Sequence, residues 1–170
     1  DYFKETEKVH RIIQKYKRSK GNLLLDVACG TGTHAGYFRK YYRVEGLDID
    51  SKMVAIAGRK HSEIRFHRGD MKSFDLGREF DAVVCLFSSI GYVKTKANLY
   101  KAIKNMSRHL IPGGVLLVEP WFTSTQWMIG HIHTLHVSKP DLKITRMSHG
   151  GKKGKISTLD FQYLVGTKKG

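Results

Sequence analysis

Hydrophobic positions in the first 120 residues follow two different spacings. Short apolar runs, typical of buried β-strands, occur at residues 23–27, 43–49, 64–67, 80–87 and 115–119. Between these runs, apolar residues recur three and four positions apart, which is the spacing of a helix with one buried face. Strands that alternate with helices at this interval predict a parallel, doubly wound, Rossmann-like α/β sheet with helices on both faces.

Four helices are predicted from the same spacing. The first covers residues 5–17, with Val9, Ile12, Ile13 and Tyr16 on its apolar side, and the second covers residues 33–42. The third begins at Asp50 or Ser51, either of which can cap it. The fourth has Leu99, Ile103, Met106 and Leu110 on its inner face and is expected to end at the Pro-Gly-Gly sequence 112–114.

The pattern changes after Pro120. Residues 142–148 and 156–165 are typical of two strands joined by a glycine- and lysine-rich loop, which is an antiparallel hairpin rather than a βαβ unit. We therefore predict two domains. Residues 1–122 form an α/β core with an N-terminal helix, and residues 123–170 form accessory antiparallel strands or a lid.

A glycine-rich turn follows the first predicted strand. Its sequence runs from Asp26 through Ala28 and Gly30 to Gly32. Neither glycine has a Cβ atom, so the backbone can approach a ligand closely. Asp48 ends the second strand, 22 residues after Asp26, where a carboxylate can accept both hydroxyls of a ribose. This combination predicts a nucleoside-containing cofactor.

Asp26 distinguishes between two cofactors. Gly30, Gly32 and Ala35 also satisfy a loose G-x-G-x-x-A dinucleotide fingerprint. A dinucleotide would place its negative pyrophosphate beside the Asp26 carboxylate, which is unfavourable in a partly dry site. S-adenosylmethionine (SAM) has an ammonium group and no phosphate, so the residues favour SAM over NAD.

Further cofactor contacts are expected after the second and third strands. Asp70 can accept the exocyclic amine of an adenine, and Met53 can pack on the ring or the ribose. Each has an alternative, because Asp70 can instead cap a turn and Met53 can belong to the core. Asp50 is interpreted as a helix cap and not as a ligand.

Several runs resemble a known family. LLDVACGTGTH, EGLDIDSKM and GDMKSFDLGREFDAVV resemble the ordered motifs of class I SAM-dependent methyltransferases. CLFSSIGYVKT and HLIPGGVLLVEPWF are similar to one subgroup, the N,N-dimethyltransferases of nucleotide-linked amino sugars. The resemblance is strong over residues 23–122 and weaker over residues 127–165.

The resemblance implies SAM as the cofactor and assigns residues to its parts. Asp26, Ala28, Gly30 and Gly32 are placed at the methionine end. Asp48 is placed at the ribose, Asp70 and Met71 at the adenine, and Cys85–Ser88 along the rim near the sulfonium. The complete set of expected cofactor-binding residues is Asp26, Ala28, Gly30, Gly32, Asp48, Ile49, Met53, Asp70, Met71, Cys85, Leu86 and Phe87.

Two features depart from the family pattern. Family members close over the cofactor with an N-terminal segment that often contains a tyrosine, and only Tyr2 could stand near it here. They also continue with further strands, including a late antiparallel pair. The chain is therefore expected to be incomplete at its C-terminus, unless residues 142–165 are that pair, and the accessory-sheet interpretation is favoured. Part of the lid is therefore expected to be absent and the site to be incomplete.

Methyl transfer needs alignment in a dry pocket more than it needs acid–base chemistry. The expected catalytic residues are Ser88, Tyr92 and Trp121, which lie at or after the carboxyl ends of strands. Tyr92 could hydrogen-bond the acceptor, and Trp121 could hold a cationic amine over its ring. For both, aromatic packing is the alternative.

The net charge of the chain does not by itself identify the methyl acceptor. The net charge of +15 suits a nucleic-acid partner or a solvated lysine-rich surface. The Asn/Asp-Pro-Pro-aromatic run of base-amine methyltransferases is missing, and residues 86–89 occupy that region. We therefore favour a small-molecule acceptor, with an amino-sugar nitrogen as the leading candidate. An RNA or DNA methyltransferase and a SAM-binding domain without turnover are the alternatives.

The remaining expectations concern partners and location. His131, His133 and His136 have no nearby carboxylate or cysteine, so no metal is predicted. The two cysteines lie in or beside apolar runs, which suits reduced thiols in the cytoplasm. No apolar run reaches the length of a membrane span, and the accessory hairpin could form a homodimer contact.

Overall fold

A five-stranded parallel sheet forms the centre of the first of two compact units, Asp1–Trp121. The computed structural model describes residues 1–170. The strands are β1 (Leu23–Val27), β2 (Arg43–Asp48), β3 (Arg65–Arg68), β4 (Phe80–Cys85) and β5 (Leu110–Val118). Their order in the sheet is β3-β2-β1-β4-β5 and every neighbouring pair is parallel. The predicted doubly wound α/β sheet is confirmed.

Four helices accompany this sheet. They are α1 (Tyr2–Tyr16), α2 (Thr33–Phe38), α3 (Ser51–Lys60) and α4 (Lys96–Ser107), and a short 3₁₀ turn covers Ser89–Val93. The strand order reverses direction between β1 and β4. Open α/β sheets bind ligands at such a reversal, beyond the carboxyl ends of the strands. The fold therefore places the turn after β1 and the loop after β4 at the expected site.

Two hydrophobic clusters form the core. One contains Phe38 and Ile13, and the other contains Phe80 and Met106. Residues 80–85 of β4 are all buried, as expected for a central strand covered on both faces.

The helices differ from the sequence prediction at their ends. Helix α1 begins at Tyr2 rather than at residue 5, because the Asp1 side chain accepts a hydrogen bond from the Phe3 amide at 3.1 Å and caps the helix. Tyr16, predicted to face inward, is 57% exposed. Helix α2 ends at Phe38 rather than at residue 42, and the amides of Tyr41 and Tyr42 both turn back to the Phe38 carbonyl.

The prediction around α4 was wrong at both ends of its apolar stripe. Leu99 is 41% exposed, and Leu110 belongs to β5 instead of the helix. The Pro-Gly-Gly sequence lies inside β5, where the register with β4 shifts and Gly113 adopts a φ of +80°. These residues form an irregularity in an edge strand, which is where a proline is tolerated.

The second compact unit, Phe122–Gly170, contains a three-stranded antiparallel sheet. Its strands are β6 (Ile132–Lys139), β7 (Leu142–Lys153) and β8 (Ile156–Thr167), in the order β6-β7-β8. The predicted hairpin is confirmed as β7–β8, but its turn lies at Gly154. Gly150 and Gly151 are paired within the ladder. Strand β6, which carries His133 and His136 and directly follows His131, was not predicted. No helix in the structure is both long enough and apolar enough to cross a bilayer.

Candidate active site

The turn between β1 and α2 bends through several left-handed backbone conformations. Ala28, Gly30 and Gly32 have φ values of +60°, +54° and +73°. A Cβ atom added to Gly30 would meet nothing within 4 Å, whereas one added to Gly32 would lie 2.9 Å from Cζ of Phe66 and 3.1 Å from Cβ of Ala57. Gly30 therefore faces open space, and the absence of a side chain at Gly32 serves packing against Phe66.

A cavity of about 160 Å³ opens on this turn. It brings together five of the predicted residues, namely Asp26, Ala28, Gly30, Leu86 and Phe87. Five further residues line it that the sequence analysis did not assign to the cofactor site, namely Tyr2, Cys29, Thr31, Thr33 and His34. Four of these five lie within the LLDVACGTGTH run, so their position in the turn was the available signal.

Asp26 contributes a buried carboxylate without a partner. The residue is 2% exposed, and its Oδ2 atom has no hydrogen-bond partner. Burial, and then the negative charge of Asp48, raise the pKa of Asp26 to about 7. An unpartnered buried carboxylate is costly, because no polar group compensates for its lost hydration. A cationic group in the cavity would supply the missing partner.

Asp48 stabilises the backbone of the turn through hydrogen bonds to its side chain. Its Oδ2 atom accepts a hydrogen bond from the Gly30 amide at 2.8 Å, and its Oδ1 atom accepts one from the Asp50 amide at 2.9 Å. A carboxylate oxygen has a second acceptor site, so these bonds leave capacity for a ligand hydroxyl. Asp50 caps α3 through a 2.8 Å bond from the Lys52 amide, which confirms its interpretation as a helix cap.

The residues predicted for the adenine end do not line this cavity. Asp70 accepts hydrogen bonds from the Lys72 amide at 2.9 Å and the Lys72 ammonium at 2.5 Å. Partial burial raises the pKa of Asp70, but the bonds from Lys72 outweigh it and lower the pKa overall. Met71 packs against the core. Ile49 and Met53 are 62% and 37% exposed, so Met53 is not a core residue.

The loop after β4 is fixed to the end of β5. Phe87 and Ser88 have positive φ values of +53° and +54°, which side-chain-bearing residues rarely adopt. Oε2 of Glu119 accepts a hydrogen bond from the Phe87 amide at 2.7 Å, and the Ser88 hydroxyl donates to the Pro120 carbonyl at 2.8 Å. These bonds hold the Phe87 ring at the cavity.

The predicted catalytic aromatics lie outside this cavity. Tyr92 is 81% exposed on the 3₁₀ turn, and Trp121 packs beside Gly91. Cys85 is fully buried, and burial, with the charge of Asp26 next in importance, raises the pKa of its thiol to about 12. Cys85 is therefore inert as a nucleophile.

A second cavity of about 510 Å³ lies between α1 and β5. Its apolar wall includes Val9 and Leu117, and Glu5 and Glu119 supply acidic groups. It shares three lining residues with the first cavity, namely His34, Leu86 and Phe87. Two compartments that share one wall can hold a donor and an acceptor side by side.

Helix α1 supplies a wall of both cavities. The Tyr2 ring stacks on Phe87 with centroids 5.3 Å apart and meets His34 edge-on at 4.9 Å. The helix is fixed to α2 by a 3.2 Å contact between Oε2 of Glu5 and Nε2 of His34. Tyr2 was expected only as the remaining lid residue, and its position depends on this helix-to-helix packing.

Comparison with known proteins identifies the family. A family model described as a methyltransferase domain matches residues 24–114. The chain is 37% identical over 166 residues to dTDP-3-amino-3,6-dideoxy-alpha-D-glucopyranose N,N-dimethyltransferase of Streptomyces fradiae, covering 97% of this chain and 65% of that protein. It is 35% identical to dTDP-3-amino-3,4,6-trideoxy-alpha-D-glucopyranose N,N-dimethyltransferase of Streptomyces venezuelae, covering 97% of this chain and 70% of that protein.

Solved structures agree with these relatives. DesVI of Streptomyces venezuelae superimposes with a TM-score of 0.95 at 34% identity, covering 99% of this chain and 72% of that chain. SAM-bound CalS10, an amino pentose methyltransferase from Micromonospora echinaspora, gives a TM-score of 0.92 at 36% identity. The match covers 100% of this chain and 72% of that chain. This chain thus spans about two thirds of the length of the proteins it matches, and it belongs to the SAM-dependent methyltransferase family.

Proposed function

We propose that this chain transfers methyl groups from SAM to the amino nitrogen of a nucleotide-linked sugar. The observation that carries the proposal is the buried, unpartnered Asp26 carboxylate beside the open face of Gly30. It occurs in a chain that is 35–38% identical to three proteins named as nucleotide-sugar N,N-dimethyltransferases. The site geometry supports the cofactor, and the relatives support the acceptor class.

The residues at the turn fit SAM. Asp26 can receive the ammonium of the methionine part, which compensates its buried charge. Gly30 allows close approach of the ligand to the backbone, and Asp48 retains acceptor sites for ribose hydroxyls. When bound, SAM supplies an electrophilic methyl group on a sulfonium. A pyrophosphate at this turn would face the Asp26 and Asp48 carboxylates, so the geometry opposes NAD.

The second cavity suits the acceptor. Val9 and Leu117 give it an apolar wall, and Glu5 and Glu119 attract a cationic amine toward the wall shared with the first cavity. Ser88 acts by fixing the loop that holds Phe87, through its bond to the Pro120 carbonyl. We retain Tyr92 and Trp121 as proposed acceptor contacts at the rim. Alignment of the two reactants then provides the main catalytic contribution, for which well-oriented groups gain about 7–11 kcal/mol.

Location and assembly are part of the proposal. Cys29 and Cys85 are free thiols, which supports a reducing, cytoplasmic location.

Strand β8 is an outer strand with exposed apolar side chains, namely Phe161, Tyr163, Leu164 and Val165. Exposed apolar edges tend to pair with another chain, so we propose a homodimer through β8. Light scattering of the protein and of a Leu164→Lys variant tests this contact.

Calorimetry and a methyl-transfer assay test the function. S-adenosylhomocysteine should bind and NAD should not, and mass spectrometry should show one or two added methyl groups on a dTDP-linked 3-amino sugar. The +15 charge favours RNA as a second acceptor, so unmodified tRNA is assayed in parallel. Transfer to tRNA alone would replace the proposed acceptor. Binding of S-adenosylhomocysteine without transfer to either acceptor would contradict the enzymatic proposal.

A further inference from the structure

We propose that His34 is the catalytic base that removes the proton from the acceptor nitrogen, with Glu5 positioning its ring. This inference rests on the proposed amine methylation. It is carried by the place of His34 in the wall that the two cavities share. His34 is the one imidazole that lines either cavity, and a group on this wall lies next to the path from donor to acceptor.

The chemistry creates a need for such a base. An alkylamine is mostly protonated at neutral pH, and an ammonium has no lone pair with which to attack a methyl group. After the first transfer the nitrogen again carries a positive charge and a proton, so a second transfer requires a second deprotonation. A base in the wall of the acceptor cavity lies next to the nitrogen and can perform both steps.

The contact with Glu5 selects the tautomer of His34. Nε2 lies 3.2 Å from Oε2 of Glu5, so a proton on Nε2 is held by the carboxylate. The neutral ring then has its free lone pair on Nδ1, since the hydrogen bond to Glu5 is made by Nε2. A carboxylate that fixes one imidazole nitrogen and leaves the other as the base is a recurring arrangement in enzymes. Glu5 acts through His34 and is a positioning residue.

The surroundings keep His34 unprotonated until it accepts a proton. The residue is 8% exposed, and burial lowers its pKa below the usual value of 6.5. The hydrogen bond and charge of Glu5 and the charge of Glu119 raise the pKa. Lys8 also lines the acceptor cavity. Burial outweighs the acidic neighbours, so the free site holds a neutral imidazole at pH 7.

The step balances as a simple proton transfer. The N–H bond of the acceptor ammonium breaks, its electron pair stays on nitrogen as the attacking lone pair, and the proton bonds to Nδ1 of His34. The imidazolium is stabilised by the Glu5 carboxylate. It returns the proton to solvent when the site opens or before the second transfer. No oxidant, reductant or metal is required.

Kinetics on His34→Gln test the base, with His10→Gln as the matched control. His10 stacks on Tyr41 and lines neither cavity. In His34→Gln we expect kcat at pH 7 to fall by about 10²–10⁴-fold, monomethylated product to accumulate, and the deficit to shrink by pH 9 as the amine deprotonates unaided. Unchanged kcat and an unchanged acidic limb of the pH profile in His34→Gln would overturn the proposal.

The Glu5→Gln variant separates positioning from packing. Glu5 raises the pKa of His34, so its replacement should move the acidic limb of the pH profile to lower pH. A purely structural role would lower the rate and leave the limb in place, which would contradict the positioning role. Binding of S-adenosylhomocysteine measured by calorimetry should stay within about threefold in both variants. Lost affinity with an unchanged kcat would make His34 a cofactor contact instead.

Nuclear magnetic resonance decides the tautomer independently of turnover. The ¹⁵N imidazole signals of His34, identified by their absence in His34→Gln, should show an Nε2–H tautomer that titrates below pH 6.5. An Nδ1–H tautomer, or a ring that is protonated at pH 7, overturns the base even in an active enzyme. A wild-type protein that methylates no amino sugar but shows the expected tautomer contradicts the proposed function and supports the Glu5–His34 arrangement.

Discussion

Replacement of Asp26 by Asn should stabilise the ligand-free protein at alkaline pH and weaken cofactor binding at the same time. Asp26 is buried, its Oδ2 atom lacks a partner, and its pKa rises from 3.8 to about 7. Because the folded state holds this proton more tightly than the unfolded state, the folded state binds more protons between these two pH values. The free energy of unfolding therefore falls as pH rises from about 4 to about 7.

The magnitude follows from the pKa difference. A separation of about three pKa units at about 1.4 kcal/mol each gives an upper figure of roughly 4 kcal/mol, lost in full above pH 7. Asn cannot ionise, so Asp26→Asn should not show this loss. A buried amide without partners costs roughly 1–3 kcal/mol at every pH. We expect the variant to be less stable than the wild type at pH 4 and comparable or more stable at pH 8.

Urea unfolding at pH 4, 6 and 8 measures this difference, with Asp81→Asn as the matched control. Asp81 is also buried and its Oδ1 atom also lacks a partner, but its Oδ2 atom accepts a bond from the Leu23 amide and the residue lines neither cavity. Calorimetry should show at least tenfold weaker binding of S-adenosylhomocysteine to Asp26→Asn and unchanged binding to Asp81→Asn. Parallel pH curves for Asp26→Asn and the wild type would refute the reasoning, as would an unchanged affinity.

Three further predictions concern the turn and its supports. Gly30→Ala should cost about 1–2 kcal/mol for its left-handed backbone and weaken binding of S-adenosylhomocysteine. Gly32→Ala should cost about 2–4 kcal/mol because crowding against the core adds to the strain; equal losses in urea unfolding would contradict the packing at Gly32. Asp48→Asn should weaken binding about tenfold by calorimetry, since it disturbs the turn and the ribose site, whereas Asp50→Ala should cost about 1 kcal/mol of helix cap and leave binding unchanged. Glu119→Gln keeps an oxygen for the Phe87 amide and should preserve binding within about threefold, whereas Glu119→Ala should weaken it.

The central sheet could be predicted because its signal is local. An apolar run between polar segments has few alternatives to a buried strand, and β1 was placed at its observed bounds. The end of α2 could not be predicted in this way. Tyr42 is 5% exposed and its hydroxyl contacts His10 and Gln14 of α1. Its burial thus comes from a turn packed against another helix, and hydrophobicity alone does not distinguish this from a longer α2.

Strand β6 was missed because it gives almost no pattern. Nearly all of its residues are exposed, including Ile132 and Leu135, so its two faces do not differ in the way that period-two alternation requires. Strand β6 pairs with β7 through backbone hydrogen bonds, and the types of its side chains give little indication of this pairing. The β7–β8 hairpin gave a stronger signal because the apolar residues of β8 are more numerous.

The residues of the candidate site also fall into those with a local sequence signal and those that only tertiary packing brings together. Asp26 and Gly30 were found from the motif at the end of β1, and Phe87 was found from the family resemblance of the run after β4. Tyr2 and His34 meet only because α1 packs on α2, and residues 32 positions apart show no relation in the sequence. Gly32 was read as a second point of ligand approach, whereas its neighbour is Phe66. A glycine motif identifies a turn, but it does not identify the atom that each glycine accommodates.

The electrostatics of the turn explain why one cofactor class fits. The proximity of Asp26 and Asp48 raises the free energy of the folded chain, because the charge of Asp48 adds to burial in opposing ionisation of Asp26. The amides of Gly30 and Asp50 compensate Asp48, but no group in the chain compensates Oδ2 of Asp26. Burial of the Asp26 carboxylate destabilises the folded chain. A ligand with a cation at this point compensates the buried charge, so this free energy contributes to ligand binding. A ligand with a diphosphate would add to the same cost. Selection for SAM over a dinucleotide is therefore favoured by a buried carboxylate oxygen at the cavity that no group of the chain compensates.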